Sequence, residues 1–577
     1  MILQALKEYY DRKAADPDSN MAPLGWEWKE IPYIIVLNPA GLPISIEDTR
    51  QGEGKKKRAK AFLVPQAVKK ANSIASNLLW ENPEYLLGIT LKGKPERVIE
   101  QHKAFIDKID SLNLIDEEGI KAVKSFLAMP EKLTILEAFG EVWKQILEES
   151  PNLTFKIAGE SKIILESVKI KEAIDLSLRS KSGKESRCLI TGQLEEIERL
   201  HPSIKGVWGA QTSGANIISF NLDAFGSFGK EQGANSPVGK TATFAYTTAI
   251  NYLLCRDSTQ KMLVGDATAI FWAAKETVFE KQVVDFFGEP PKDDPDRNVR
   301  AVESLFSSIK SGAFSAEGYN NKFFVLGLSP NASRISIRFW IVDTVSGMSE
   351  KICQYFEDLR IAHGARDRDF PSLFRLLVSI ASQGKSENIP PNIAGDTMRA
   401  ILEGLPYPET LLQAAVRRNR AEQAVSYPRA ALIKACINRK TRYKNPKIKE
   451  ELKMSLDQAN TNIGYRLGRL FAALEKIQQE AHPGLNATIR DKFYGAASGT
   501  PITVFGNLMR LKNHHLAKLE NAGRRINFER LLSEIMDGVE ARSGFPAHLC
   551  LDDQGRFAIG YYHQMQEFYT KKTDKEQ

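Results

Sequence analysis

The sequence predicts an α+β chain. A mixed α/β N-terminal and central region with a β-rich core is followed by an all-α C-terminal domain. Three observations carry this expectation. Runs rich in β-branched and aromatic residues, such as "IPYIIVLNPAGLPISI" (31–46) and "RISIRFWIVD" (334–343), end at Asp343. Glycine-rich connections cluster between residues 206 and 240. From about residue 347 to the end, apolar residues recur at helical spacing.

Taken in order, residues 2–14 have helical periodicity, and residues 31–46 read as a hairpin around Asn38-Pro39-Ala40-Gly41. "AFLVPQ" (61–66) reads as a short strand and "AVKKANSIASNLLWEN" (67–82) as part helix, part loop. Residues 95–149 read as helical. Strand candidates then occur at 187–193, 204–210, 216–222, 269–274, 322–329 and 334–343, with a helix over 243–254. "IGYRLGRLFAALEKIQQEAH" (463–482) is a strong helix, its stripe formed by Leu467, Leu470, Phe471, Leu474 and Ile477. The expected division is 1–150, 151–346, 347–453 and 454–577.

Charge is unevenly placed. The chain carries a formal net charge of +8. Residues 417–454 alone hold twelve basic and three acidic residues, a local +9. Such focused charge attracts polyanions, and a phosphate backbone is the commonest of these. Arg417, Arg418 and Arg420 open this segment, and Arg439, Lys440 and Arg442 close its second half. Tyr427 and Tyr443 are interleaved and suit stacking on bases. A second run, Lys55, Lys56, Lys57, Arg58 and Lys60, precedes the 61–66 strand. Lys69, Lys70, Asn72 and Asn77 come after it. The lysines suit phosphate contact, and the two asparagines suit base edges. The glycine-rich stretch supplies Gln211, Ser213, Lys230, Gln232 and Asn235 on a backbone that admits close approach. The competing readings are a solvated charged face, a polar surface loop, and a basic helical pair packed on an acidic neighbour.

Catalytic patterns are weak. "ANSPVGKT" (234–241) fits a permissive phosphate-loop spacing, with Asp343 placed like a magnesium-holding partner. The candidate strand 216–222 ends too early for a compact wrap, and Pro237 removes an N–H where donors are needed. "HGARDRDF" (363–370) reads as a mixed-charge loop and "RLKNHHLAKLENAGRR" (510–525) as a basic helix face. Five dispersed cysteines contain no CxxC pair, so zinc ribbons are not expected and neither is any other metal site. No apolar run approaches the roughly 20 residues of a membrane span. The expectation is a cytoplasmic protein that is not an enzyme and has no cofactor and no membrane partner.

Several stretches occur together in one family. They are "CLITGQ", "HPSIKGVWGAQTSGANIISFNLDAFGSFGKEQG", "FAYTTAINYLL", "VGDATAIFWA", "LSPNASRISIRFW" and "GYRLGRLFAALEKIQQEA". In this order the chain resembles, from "MILQALKEYYDR" to near its end, the large subunit of the type I-C CRISPR Cascade complex, the Csd-type signature protein. The resemblance implies a noncatalytic subunit of a crRNA-guided complex. It implies reading of the protospacer-adjacent motif in double-stranded target DNA, support of the R-loop and its displaced strand, and help in recruiting a helicase-nuclease. The implied partners are crRNA, target DNA, the backbone, handle-binding and small Cascade subunits, and that nuclease. It also implies that the C-terminal helical part resembles a small subunit. A start at Met454 would leave residues 454–577, 124 residues. The alternative function is a phosphate-loop NTPase acting on nucleic acid. A scaffold whose basic surface meets acidic partners is a third reading.

Overall fold

The computed structural model describes residues 1–577 except 53–56, 69–73, 180–184, 312–319, 540–543 and 570–577. The chain divides into two compact units, residues 1–205 with 212–252 and residues 206–211 with 253–577.

The first unit is built on a four-stranded sheet of order β3-β2-β6-β5. Strand β2 (Tyr33–Leu37) pairs antiparallel with β3 (Pro43–Asp48), which is the expected hairpin, and parallel with β6 (Leu153–Ile157). All five β2 residues are buried, as its unbroken apolar run requires of a strand covered on both faces. β5 (Trp80–Glu81) closes the other edge, and β1 (Trp26–Glu30) forms a separate pair with β4 (Ala61–Pro65). The helices Pro95–Asp110 and Glu118–Ala128 bury Phe105, Val123 and Phe126 against this core, where the Phe126 and Phe155 rings meet edge-on at 5.8 Å. The helix Lys240–Leu253 packs on the N-terminal helix Ile2–Ala14 through Phe244 and Tyr10, 5.7 Å apart.

Between these parts the expected strands give way to turns. β7 (Glu185–Arg187) and β8 (Leu194–Glu196) form a three-residue pair, so the candidate at 187–193 is a strand only at Arg187. The candidates at 204–210 and 216–222 form no strand. Ile204 bridges Ala215, just before the second candidate. Side chains take over the backbone groups: the Asn216 amide donates to the carbonyls of His201 (2.8 Å) and Pro202 (3.1 Å). Short β-prone runs lacking a partner edge do not hold as strands.

The second unit holds an antiparallel sheet of order β12-β11-β10-β9, made of β9 (Lys261–Val264), β10 (Ala267–Ala273), β11 (Lys322–Asn331) and β12 (Arg334–Thr344). Phe271, Phe323, Phe339 and Ile341 share one core with the helices Phe279–Phe287 and Val345–Leu359. After Thr344 the described residues are helical or irregular, which is the expected all-α end. The helix Ile463–Ala481 lies against Leu551–Tyr569, with Leu467, Leu470, Phe471, Leu474 and Ile477 buried. Gly468 sets their spacing, since a Cβ there would stand 2.0 Å from the Phe557 carbonyl oxygen. Tyr465, Ala558, Ile559 and Tyr562 join instead the core that includes Ile433 and Ile437, so this core takes residues from both sides of Met454.

Candidate nucleic-acid interface

In the first basic run and the stretch after the 61–66 strand, Lys55, Lys56, Lys69, Lys70 and Asn72 lie outside the described residues. Lys57, Arg58 and Lys60 are exposed on the connection from β3 to β4. The Arg58 backbone pairs in both directions with Gln51 at 2.8 Å, and its guanidinium reaches Glu30 at 2.7 Å. The Lys60 ammonium stands 5.2 Å over the Phe62 ring. This connection is therefore tied down at both ends and presents its charge to solvent. Asn77 is different. It is 5% exposed, its Oδ1 accepts the Val68 N–H at 2.9 Å, and its own N–H donates to Glu81. Its amide oxygen braces the loop before β5, so this candidate reader of base edges serves the fold.

In the glycine-rich stretch Gln211, Ser213 and Lys230 are exposed. Gln232 accepts from Arg199 at 3.0 Å. Asn235 serves its own loop: Oδ1 accepts the Ser227 N–H, while Nδ2 donates to the Lys230 and Gln232 carbonyls at 3.1 Å each. Its polar atoms hold together the turn that carries Lys230.

The phosphate-loop spacing has no cradle behind it. No strand precedes it directly among the described residues, because 216–222 is not a strand. Gly239 bridges Ile197, its N–H points at the Cys188 sulfur at 3.3 Å, and a Cβ there would lie 1.7 Å from Glu195 Cδ. Lys240 Nζ is paired with Glu196 at 2.6 Å. Asp343 holds Lys351 at 2.6 Å. The N–H at Gly239 and the ammonium of Lys240, which phosphates would need, already have partners.

The +9 segment divides in two. Its residues lie on the helices Glu409–Glu422 and Tyr427–Lys444 and the loop after them. Arg418 and Arg429 both hold Glu422. Arg439 is 4% exposed and donates to the carbonyls of Leu405 (2.7 Å) and Ala400 (2.8 Å) and to the Tyr407 hydroxyl (3.3 Å). Arg442 holds Asp358 at 2.7 Å, and Lys440 bridges Glu409 at 2.6 Å and Asp552 at 3.0 Å. Lys434 is fully buried and reaches Glu450 at 2.9 Å. Arg439 is thus an internal strut, and Arg418, Lys440 and Arg442 have carboxylate partners. All four are candidates for ligand contact in the sequence, and in the fold each already has an internal partner. Tyr427 is also buried, its hydroxyl donating to the Arg368 carbonyl at 3.1 Å. Burial and the nearby Asp369, Tyr562 and Asp367 raise its phenol pKa. Arg417 and Arg420 remain exposed, as do Lys444, Lys447 and Lys449, which local charge alone does not single out from their neighbours. Tyr443 is exposed beside them. None of these five cations has an ion pair with a described residue.

His363 in the mixed-charge loop holds Asp369 at 2.9 Å, its ring 4.5 Å from Tyr427. Among the described residues no three His, Cys, Asp or Glu side chains come together as metal ligands, and no helix is long and apolar enough to cross a membrane. The surface offers loop-borne and helix-end cations flanked by polar and aromatic side chains, an arrangement suited to phosphate contact.

Among curated proteins, none matches the chain. The family model described as CRISPR-associated protein (Cas_Csd1) matches residues 6–569. The chain belongs to this family and is a CRISPR-associated, Cascade-type subunit.

Proposed function

We propose that this chain is the noncatalytic large subunit of a type I-C Cascade complex. In this reading it recognises the protospacer-adjacent motif in duplex DNA, supports R-loop formation with the crRNA and helps recruit the helicase-nuclease. The observation that carries the reading is the set of exposed cations without an ion pair to a described residue: Arg417, Arg420, Lys444, Lys447 and Lys449. Lys57, Lys60 and Lys230 add to it from loops. An unpaired surface cation costs nothing to redirect to a phosphate, whereas a buried strut does. Base pairing with the guide reads the long target, so protein need read only a short duplex element. Asn72 is the amide proposed to face base edges.

The test uses the chain assembled with guide RNA and partner subunits on target duplex with and without the flanking motif. The paired variants Lys57→Ala/Lys60→Ala and Arg417→Ala/Arg420→Ala should weaken binding to both duplexes. Each lost phosphate contact should reduce the slope of log K against log salt by about 0.9. Asn72→Ala should erode only the preference for the motif. A wild-type complex that binds both duplexes equally would overturn the reading.

A further inference from the structure

The helices Ile463–Ala481 and Ile502–Ala517 bring their C-terminal ends together. His482 caps the first and Lys518 the second. The His482 ring stands edge-on to His515, centroids 5.4 Å apart, and Lys518 Nζ is 3.5 Å from His482 Nε2. A lysine can donate to that nitrogen only while His482 is neutral. His515 Nδ1 is buried with no hydrogen-bond partner. Arg510, His514 and Lys518 recur at i, i+4 and i+8, one stripe running up to this corner.

Carboxylates do not complete the cluster. On the first helix Glu480 is held by Arg524 at 2.6 and 2.8 Å and lies 3.7 Å from Lys476. Hydrogen bonding to Arg524, first of all, keeps its carboxyl below the ordinary range. Glu520, beyond Lys518, is exposed and forms no ion pair with a described residue. Burial lowers the His515 pKa, and each charged neighbour acting on it, His482, Lys518 and His514, lowers it further. The bland explanation is that cations complement two helix C-termini, each worth about −0.5 charge. That accounts for Lys518 alone, whose single charge already balances the two ends. Three histidines beyond it are surplus. Each histidine that protonates adds a full positive charge to the corner.

We propose that this corner is a proton-linked binding site for the phosphodiester backbone of a nucleic-acid strand, formed by His482, His515 and Lys518 and continued along Arg510 and His514. The strand enters as the imidazoles protonate, and a phosphate replaces the Lys518–His482 contact. The site rests on the nucleic-acid-binding reading above but makes no use of the flanking motif. A nucleic-acid strand is favoured over an acidic protein because Arg510, His514 and Lys518 form a line that a regular row of phosphates can track.

The sign is fixed by linkage. A bound phosphate raises the histidine pKa, so the added affinity is complete below the free-state pKa and is lost as pH rises through the bound-state value. The experiment measures binding of the full chain to a fluorescent oligothymidylate across a salt series at about pH 6 and about pH 8. Two newly charged histidines should steepen the log K against log salt slope by about 1.4 at the lower pH. His482→Gln/His515→Gln should keep the pH 8 affinity and lose the increment. Lys518→Gln should weaken binding at both pH values. Calorimetry of the wild type in two buffers of different ionisation heat should show proton uptake, and this holds even where the double variant fails to fold. Equal slopes in the wild type, an increment that survives the double substitution, or absent proton uptake would each overturn the proposal. Equal competition by polyglutamate at matched charge would overturn it in favour of an acidic protein. The same preparations, assembled with guide RNA and partner subunits, are tested on duplexes with and without the flanking motif. Loss of motif preference with proton linkage intact would remove the functional reading and leave this site standing.

Discussion

Arg439 separates structural charge from ligand-binding charge. In the fold its guanidinium satisfies the Leu405 and Ala400 carbonyls and the Tyr407 hydroxyl, stacks 4.9 Å over the Tyr407 ring, and lies 3.9 Å from buried Asp358. Substitution by alanine removes those donors and leaves Asp358 with Arg442 as its remaining ion-pair partner among the described residues. Breaking a buried pair typically costs about 3–5 kcal/mol. Each carbonyl left without a donor costs about 1–3 kcal/mol, though water entering the space offsets part of that. Because Asp358 keeps Arg442, the pair term falls at the low end, and a total of about 4 kcal/mol is expected. With a urea dependence of about 3 kcal/mol/M or more for a unit of this size, the midpoint should fall by roughly 1 M. The assay is urea unfolding followed by tryptophan fluorescence, with Arg417→Ala as the exposed control, expected within about 0.5 kcal/mol of wild type. Arg439→Ala at wild-type stability, coupled with lost DNA binding, would refute the assignment of Arg439 to the fold.

Two further outcomes rest on the same geometry. The purified chain is expected to show no ATP turnover, and Lys240→Ala should leave that unchanged and cost under about 1 kcal/mol, because its pair with Glu196 is half exposed; a Lys240-dependent ATPase in the purified chain would show the opposite. His563 is buried against the Tyr465 hydroxyl at 2.9 Å, and burial, helped by Lys434, brings its pKa down to about 3. The unfolded chain, with an ordinary value near 6.5, takes up the proton first. Stability should therefore fall as pH drops from about 6.5 towards 3, by up to about 1.4 kcal/mol per pH unit, and His563→Gln should flatten that slope in acid-unfolding curves.

Elements with long, unambiguous patterns were legible in the sequence. β10, β11 and β12 carry seven to eleven residues of β-branched and aromatic character, and the helix Ile463–Ala481 carries a full apolar stripe. β1 was not, because "WEWKE" alternates bulky and charged residues over only five positions and needs β4 to become a strand. The segments 204–210 and 216–222 read as strands and fold as turns because local propensity reports side-chain type and says nothing of a missing partner edge. The candidate interface was half legible for a related reason. Charge is local in sequence, but neutralisation is not: Glu409, Asp358 and Asp552, which take up Lys440 and Arg442, lie between 31 and 112 residues away. The His482–His515 pair was likewise invisible, since its members close two different helices.

The division within the basic segment reflects the chemistry of its side chains. Planar guanidiniums with several fixed donors suit enclosed sites where carbonyls and carboxylates converge, and Arg439 and Arg429 are placed in this way. Ammoniums on flexible stems act as hydrated point charges, and Lys444, Lys447 and Lys449 stand in solvent where the helix Tyr427–Lys444 ends. Lys434, drawn inward by Glu450, departs from this division, and so do the exposed Arg417 and Arg420. The same helix thus anchors itself by its arginines and delivers lysines at its C-terminal end, where the helix dipole also favours positive charge. A rigidly held row of unpaired cations loses less side-chain and backbone freedom on meeting phosphates than a mobile tail would. In the proposed reading, the buried arginines contribute to phosphate binding indirectly, by fixing the helix that carries the lysines.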